Sequence, residues 1–458
     1  MLALIRRLAT TAGTATIQIG RRPRMGASGT LGPRRVRLAR TIRVMPDETP
    51  EATGFRSVLS VREFRWLWLA SIQSMAGDQL ARVALSVLVY ERTKSGLWTA
   101  LVYALTFLPA LAGGLLFAGI ADRRPRRAVA VACAVGQAVL LGAMALPGAP
   151  LWVLGALLTV ATLVGAVFSP TEGALAADII TGPLYPTAAG LRQATFQAAQ
   201  VLGFAAGGAA VAVLGARSAL AVDAITFAIS ALVLRVALAS RPAPGGEAAA
   251  GSHWWSNMTS GTRLLLADAR LRSLLAFACL TVCWIVPEGL AAPYASEAGG
   301  GPISVGILLA ANPLGNVVGA IAFVRWVPTR LRAPLLGPLA VSCGVPLLVC
   351  AARPGVVVTA VLWAVAGLGS AYQVQLSTEC VAATDPSTRA RVFGAFGAGL
   401  LAAQGIGLLV GGAVAQAWST PAAIALAGAL GAALAVWLTV RRARLLAGPG
   451  SSFAPAAP

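Results

Sequence analysis

The chain has 458 residues, of which 57% are hydrophobic and 11% charged, and its mean hydropathy is +0.77. A soluble domain carries about 25% charged residues, so the composition excludes an ordinary soluble fold. A net charge of +20 would suggest nucleic acid in a soluble chain, but here the arginines stand between apolar runs, which argues against a nucleic-acid partner.

In chain order, residues 1–44 hold ten Arg and no acid, and no sustained apolar run. Residues 1–62 are therefore expected to be a cytoplasmic, disordered N-terminal extension, with Met45 as an alternative start. Apolar segments bounded by charges or Pro/Gly turns then follow at 65–90, 97–121, 128–147, 150–170, 190–214 and 218–239. A polar, Pro/Gly-rich stretch, 241–270, reads as a cytoplasmic linker. Six more segments lie at 272–295, 303–325, 332–352, 355–378, 390–416 and 420–440. Each is long enough to cross a hydrocarbon core of ~30 Å as a helix of ~20 residues. The expected fold class is an all-α membrane protein with twelve transmembrane helices. They form a six-helix bundle over 63–240 and a second over 271–442, before a cytoplasmic tail at 443–458.

The arginines orient the chain. With the N-terminus inside, inner loops and ends from Met45 onward carry 21 basic residues and outer loops four (Arg92, Lys94, Arg217 and Arg353). The positive-inside rule then puts both termini in the cytoplasm of a cell membrane. The two bundles also share a repeat. "AAQVLGFAAGG" at 198–208 and "AAQGIGLLVGG" at 402–412 agree at an offset of 204, which also maps Pro109 to Pro313 and Arg126 to Arg330. Gly203, Gly207 and Gly208 thus match Gly407, Gly411 and Gly412, and small residues at such spacing let helices approach closely.

Charges inside the spans mark candidate coupling and gating positions, because burying them in hydrocarbon is costly. Asp78 and Arg82 share a stripe with Ser74 and Ser86 on the first span, and their i,i+4 spacing leaves open both a structural ion pair and a functional gate. Glu288 has no basic neighbour on its own helix and is the better proton-binding candidate, whereas Asp223 reads mainly as a structural hydrogen-bonding group. Gln193, Gln197 and Gln200 on the fifth span, Thr281 and Trp284 on the seventh, and Asn312 and Asn316 on the eighth are candidate lining for a substrate cavity. Such groups also serve as glue between helices.

These features together resemble the major facilitator superfamily. Its loop motif after the second span, Gly-x-Leu-Ala-Asp-Arg-x-Gly-Arg-Arg, is matched here by Asp122, Arg123, Arg126 and Arg127, while Ala118 and Pro125 replace its glycines. "EFRWLWLASIQSMAGDQLARVALSVLVYERTKS", "FSPTEGALAADII" and "LAVDAITFAISALVL" resemble the macrolide- and siderophore-exporter branch. The antiporter element Gly-Pro-x-x-Gly-Gly reads Gly203, Phe204, Ala205, Ala206, Gly207, Gly208, without its proline.

The resemblance implies a monomeric secondary exporter of a small amphipathic molecule, driven by proton antiport, with Asp122 accepting from Arg123 or Arg126 in a latch between bundles. An importer or facilitator of the same fold is the alternative, and a non-transporting sensor a remote one. The loop arginines also suit contact with lipid headgroups. An ATP-binding loop is excluded because the sole lysine, Lys94, lies in "ERTKSG". One histidine (His253) and six scattered cysteines point to no metal, no cofactor and no enzyme site.

Overall fold

A computed structural model describes residues 54–117, 123–242, 254–385 and 388–447. Residues 1–44, Asp122 and His253 lie outside this set. Among the described residues the secondary structure is entirely helical. Eleven helical runs are long and apolar enough to cross a membrane. The twelfth pass is the first one, Arg62–Thr93, a 32-residue helix made less apolar by Gln73, Ser74, Asp78, Gln79 and Arg82. Twelve passes make both described chain ends meet on one side, here named the terminal end, opposite the far end.

The first bundle continues with a second span in two pieces, Gly96–Ala104 and Leu108–Phe117. Arg126–Ala145, Leu151–Ile179, Tyr185–Leu214 and Ala216–Ala237 complete it. Turns at the far end are short and set by residues suited to them. Lys94 and Gly148 take positive φ, as does Gly215 between the fifth and sixth spans.

In the second bundle the seventh span is broken into Ala269–Cys279, Thr281–Trp284, Val286–Gly289 and Ala291–Glu297. Pro287 and Pro293 lack the N–H that an unbroken helix needs. The remaining spans are Pro302–Trp326, Thr329–Leu348, Val356–Gly369 with Tyr372–Ala382, Arg389–Ala417 and Thr420–Ala447.

The stretch read as linker holds a helix of its own, Trp254–Ala267. It packs on the eleventh span, where a Cβ at Gly261 would meet the Arg391 carbonyl oxygen. In the first bundle the short helix Phe55–Ser60 packs on the fifth span in the same way, with Val58 fully buried. The helical repeat thus begins one element earlier than the apolar runs suggest. These lead-in helices are too short or too polar to register as spans.

The two glycine triads pack alike. Cβ atoms at Gly203 and Gly207 would strike Gln79 and Leu80 of the first span, and those at Gly407 and Gly411 would strike Val282 and Val286 of the seventh. The third glycine of each triad instead faces the other bundle. A Cβ on Gly208 would lie 2.8 Å from the Gly306 Cα of the eighth span, and one on Gly412 2.6 Å from the Ala100 Cβ of the second. Ser95 adds a hydrogen bond of 2.7 Å to Gln416 beside the latter contact. Both seams lie toward the far end, so the bundles are held together there. In the first bundle, Gln73 donates to the Thr226 carbonyl and Ser230 hydroxyl, tying the first span to the sixth.

Candidate functional site

Polar groups concentrate around the middle of the first span. Asp78 and Arg82 line a cavity of about 300 Å³ inside the first bundle, together with Thr106, Gln137, Thr162 and Ser169. Of the two readings for Asp78, the ion pair with Arg82 is not formed among the described residues. Among the described residues the ion pairs within 4.0 Å are Arg126–Asp178, Arg241–Glu63 and Arg442–Glu379. The Arg82 guanidinium instead stands 5.8 Å from the centre of the Phe107 ring, within electrostatic reach of Tyr103 and Glu288. An i,i+4 spacing permits a pair but does not compel it when an aromatic face and a second carboxylate compete for the guanidinium.

Glu288 lies in the short Val286–Gly289 segment of the broken seventh span. It accepts a hydrogen bond of 3.1 Å from the Tyr103 hydroxyl on the second span. This bond crosses from one bundle to the other. Non-helical backbone is tolerated at membrane depth where it is enclosed by protein, and such breaks are a feature of transport sites.

Asp223 is fully buried. Its Oδ1 accepts from the Thr226 hydroxyl at 3.0 Å, and its Oδ2 has no partner among the described residues. Gly77 of the first span leaves room for it, since a Cβ there would overlap Oδ1. Among the described residues Ser74 bonds to carbonyls of its own helix, and Ser86 is buried.

The expected cavity-lining residues are not gathered at one place. Gln193 is exposed, while Gln197 and Gln200 are half-buried. The Thr281 hydroxyl donates to the Ala278 carbonyl. Trp284, Glu288 and Asn312 do come together with Trp363 and Ser370, but the space they enclose is about 10 Å³, room for a single water. Asn312 and Asn316 also lie on the seam with the tenth span, where a Cβ at Gly367 would clash with their backbone.

At the terminal end, Arg126 pairs with Asp178 of the fourth span at 2.5 Å. Arg127 donates to the Arg235 carbonyl of the sixth, and Arg123 is exposed. The basic loop therefore pins the third span to the fourth and sixth, with Asp178 as an acceptor that the motif does not contain. Glu63, ahead of the apolar part of the first span, bonds to Arg241 and to the Ala239 N–H. Burial pushes its carboxyl up, but the Arg241 bond and the Ala239 N–H outweigh this and hold it below its ordinary range.

Three groups were missed by sequence reasoning. Glu172 on the fourth span is 3% exposed and accepts a 2.8 Å bond from the Ser71 hydroxyl. Arg192 on the fifth stands beside it, and Tyr103 holds Glu288.

The comparisons with known proteins agree with this architecture. The model of the Major Facilitator Superfamily matches residues 67–381, and the chain belongs to that family. It is similar to the "Uncharacterized MFS-type transporter YkuC" of Bacillus subtilis (strain 168), 29% identical over 179 residues. The match spans 38% of this chain and 41% of that relative.

Among solved structures, a mutant of the peptide transporter POT in complex with alafosfalin has a TM-score of 0.67 at 13% identity. The match covers 85% of this chain and 98% of that one. A POT family transporter in complex with 5-aminolevulinic acid gives 0.68 at 10%, covering 84% of this chain and 96% of that one. The nucleoside transporter NupG gives 0.62 at 14%, covering 82% and 98%. At these identities the likeness is one of fold. The protein is a multi-pass membrane protein of the Major Facilitator Superfamily.

Proposed function

We propose that the protein is a proton-coupled exporter of small amphipathic organic molecules, working as a monomer in the cell membrane with both termini cytoplasmic. The observation that carries this reading is the Tyr103–Glu288 bond, a membrane-embedded carboxylate tied across the two bundles next to Arg82. A carboxylate at such a seam links its protonation to bundle separation. Ionised, it accepts from Tyr103 and is attracted to Arg82; protonated, it loses that attraction and the charge-assisted part of the hydrogen bond. Asp78 in the adjoining cavity is the second candidate for coupling, and Asp223 is its structural neighbour across Gly77.

With the terminal end facing the cytoplasm, closure at Gly208–Gly306 and Gly412–Ala100 makes this the inward-facing state of an alternating-access cycle. Substrate would enter from the cytoplasm or inner leaflet, and proton binding from outside would follow far-end opening. The basic loop would contact lipid headgroups and brace the terminal end, with Asp122 proposed as its latch.

Everted vesicles with a respiration-driven proton gradient test the reading. A panel of amphipathic antibiotics and siderophores is added and internal acidity is recorded. Wild type should dissipate the gradient with at least one compound, and Glu288→Gln should not. A compound accumulated by whole cells through the wild-type protein, with no response in everted vesicles, would replace export by import. The continuous fifth span, with Phe204 in place of the antiporter proline, is the feature that favours that second reading.

A further inference from the structure

Arg192 lies in the terminal-end part of the fifth span, half-buried. Among the described residues it makes neither a hydrogen bond nor an ion pair within 4.0 Å, although it carries five N–H donors in a planar fork. The acid beside it, Glu172, is enclosed and already bonded to Ser71, whereas Arg192 itself is only half-buried. Gly173, next to Glu172, adjoins the guanidinium, since the Arg192 Nη1 lies 3.5 Å from where a Cβ would be. Next along the same helix, Thr195 receives the indole N–H of Trp68 at 2.9 Å, setting an aromatic surface close by. A cation in a membrane helix is normally paired or faces a polar cavity. Here the described protein supplies a counter-charge behind the guanidinium and leaves its donors unfilled.

We infer that Arg192 is an anion-binding residue of the transport pathway, which takes the carboxylate of an amphipathic substrate whose apolar part lies toward Trp68. This rests on the reading of the protein as a carrier of amphipathic molecules and narrows it to acids. A guanidinium fork binds a carboxylate in two parallel hydrogen bonds. Glu172 is the fixed counter-ion that keeps the site neutral overall when the substrate is absent.

The test needs no knowledge of the substrate. Ala189, exposed and one turn before Arg192, is replaced (Ala189→Cys), and the chain without that replacement gives the background from Cys133 and Cys279. Purified full-length protein in phosphatidylcholine vesicles is labelled with a sulfonate-bearing and a trimethylammonium-bearing methanethiosulfonate. The anionic-to-cationic rate ratio should fall about fivefold on adding Arg192→Gln and persist with Arg192→Lys, as expected for one nearby unit charge. Arg192→Lys also guards against a variant that merely fails to fold.

In a second arm, naphthalene-2-acetate should slow labelling of Ala189→Cys in the Arg192 protein, and its methyl ester should not. An unchanged rate ratio, or equal protection by acid and ester, would overturn the inference. So would loss of acid protection on adding phosphatidylglycerol, because a lipid phosphate would then be the occupant. Labelling requires no gradient, so a failure of proton-coupled export in everted vesicles leaves this result standing, and the converse also holds.

Discussion

At the scale of single residues, three groups from different spans meet where charge is scarce. Arg82 comes from the first, Tyr103 from the second and Glu288 from the seventh. A hydrogen bond to a charged group contributes about 1.5–3 kcal/mol. Tyr103→Phe keeps the ring and removes that bond, so far-end-open molecules should become roughly tenfold more abundant, about 1.4 kcal/mol. Labelling of Ser95→Cys by an impermeant thiol reagent, with and without Tyr103→Phe, measures this; equal rates would deny the bond a gating role.

Sequence alone pointed to Asp78, Glu288 and Asp223 because a charge in an apolar run stands out. Glu172 escaped because the apolar run was ended at 170, and Arg192 because, two residues into the run at 190–214, it was counted with the inner-loop arginines. The helices run on through Leu151–Ile179 and resume at Tyr185, so both charges lie within them. Tyr103 escaped for another reason: its partner is 185 positions away, and only the tertiary fold brings the two together.

At the scale of elements, the repeat at an offset of 204 was legible as paired glycines, but not the division of labour within each triad. That division depends on which neighbour each face meets, and neighbours are set by packing. It leads to contrasting outcomes for the same chemical change. Gly407→Ala would put a Cβ 2.1 Å from the Val282 carbonyl oxygen. Overpacking of this kind costs about 1–3 kcal/mol, so the melting temperature in detergent should fall. Gly394→Ala meets nothing within 4 Å and should leave it unchanged or raise it, since alanine is favoured over glycine in a helix by up to about 1 kcal/mol.

The Glu63–Arg241 tether gives a pH signature. The Glu63 carboxyl sits below its ordinary range when folded, so its contribution is present above the unfolded value near ~4.3 and is lost as pH falls through the folded value. Wild type should therefore melt above Glu63→Gln at pH 7, with the two curves converging below about pH 4.

At the scale of the whole molecule, the bundles touch through seams near the far end, one between the fifth and eighth spans and one between the second and eleventh. Twelve passes and two related halves were readable from hydropathy, turn residues and the repeat, because those report on burial and chain reversal. Which end is closed was not, since a bundle pair has the same composition in either conformation. If alternation between ends is the working cycle, a clamp on the closed seam should halt it. Ser95→Cys with Gln416→Cys, bridged by a short bis-methanethiosulfonate, should abolish transport, and reductant should restore it. Unimpaired transport by the bridged protein would show that this seam need not part.

The Gly208–Gly306 crossing has a thermodynamic consequence of its own. Backbone meets backbone there, with no side chain on either glycine. Side-chain ordering costs nothing at a glycine, whereas long side chains forfeit up to about 2 kcal/mol each on burial. Joining or parting at this crossing therefore changes no rotamer freedom in the two residues that touch. Their dispersion contacts are lost within about an ångström of separation, since the attraction falls steeply with distance. The crossing is a short-range contact, entropically silent in the side chains of the two residues that meet there.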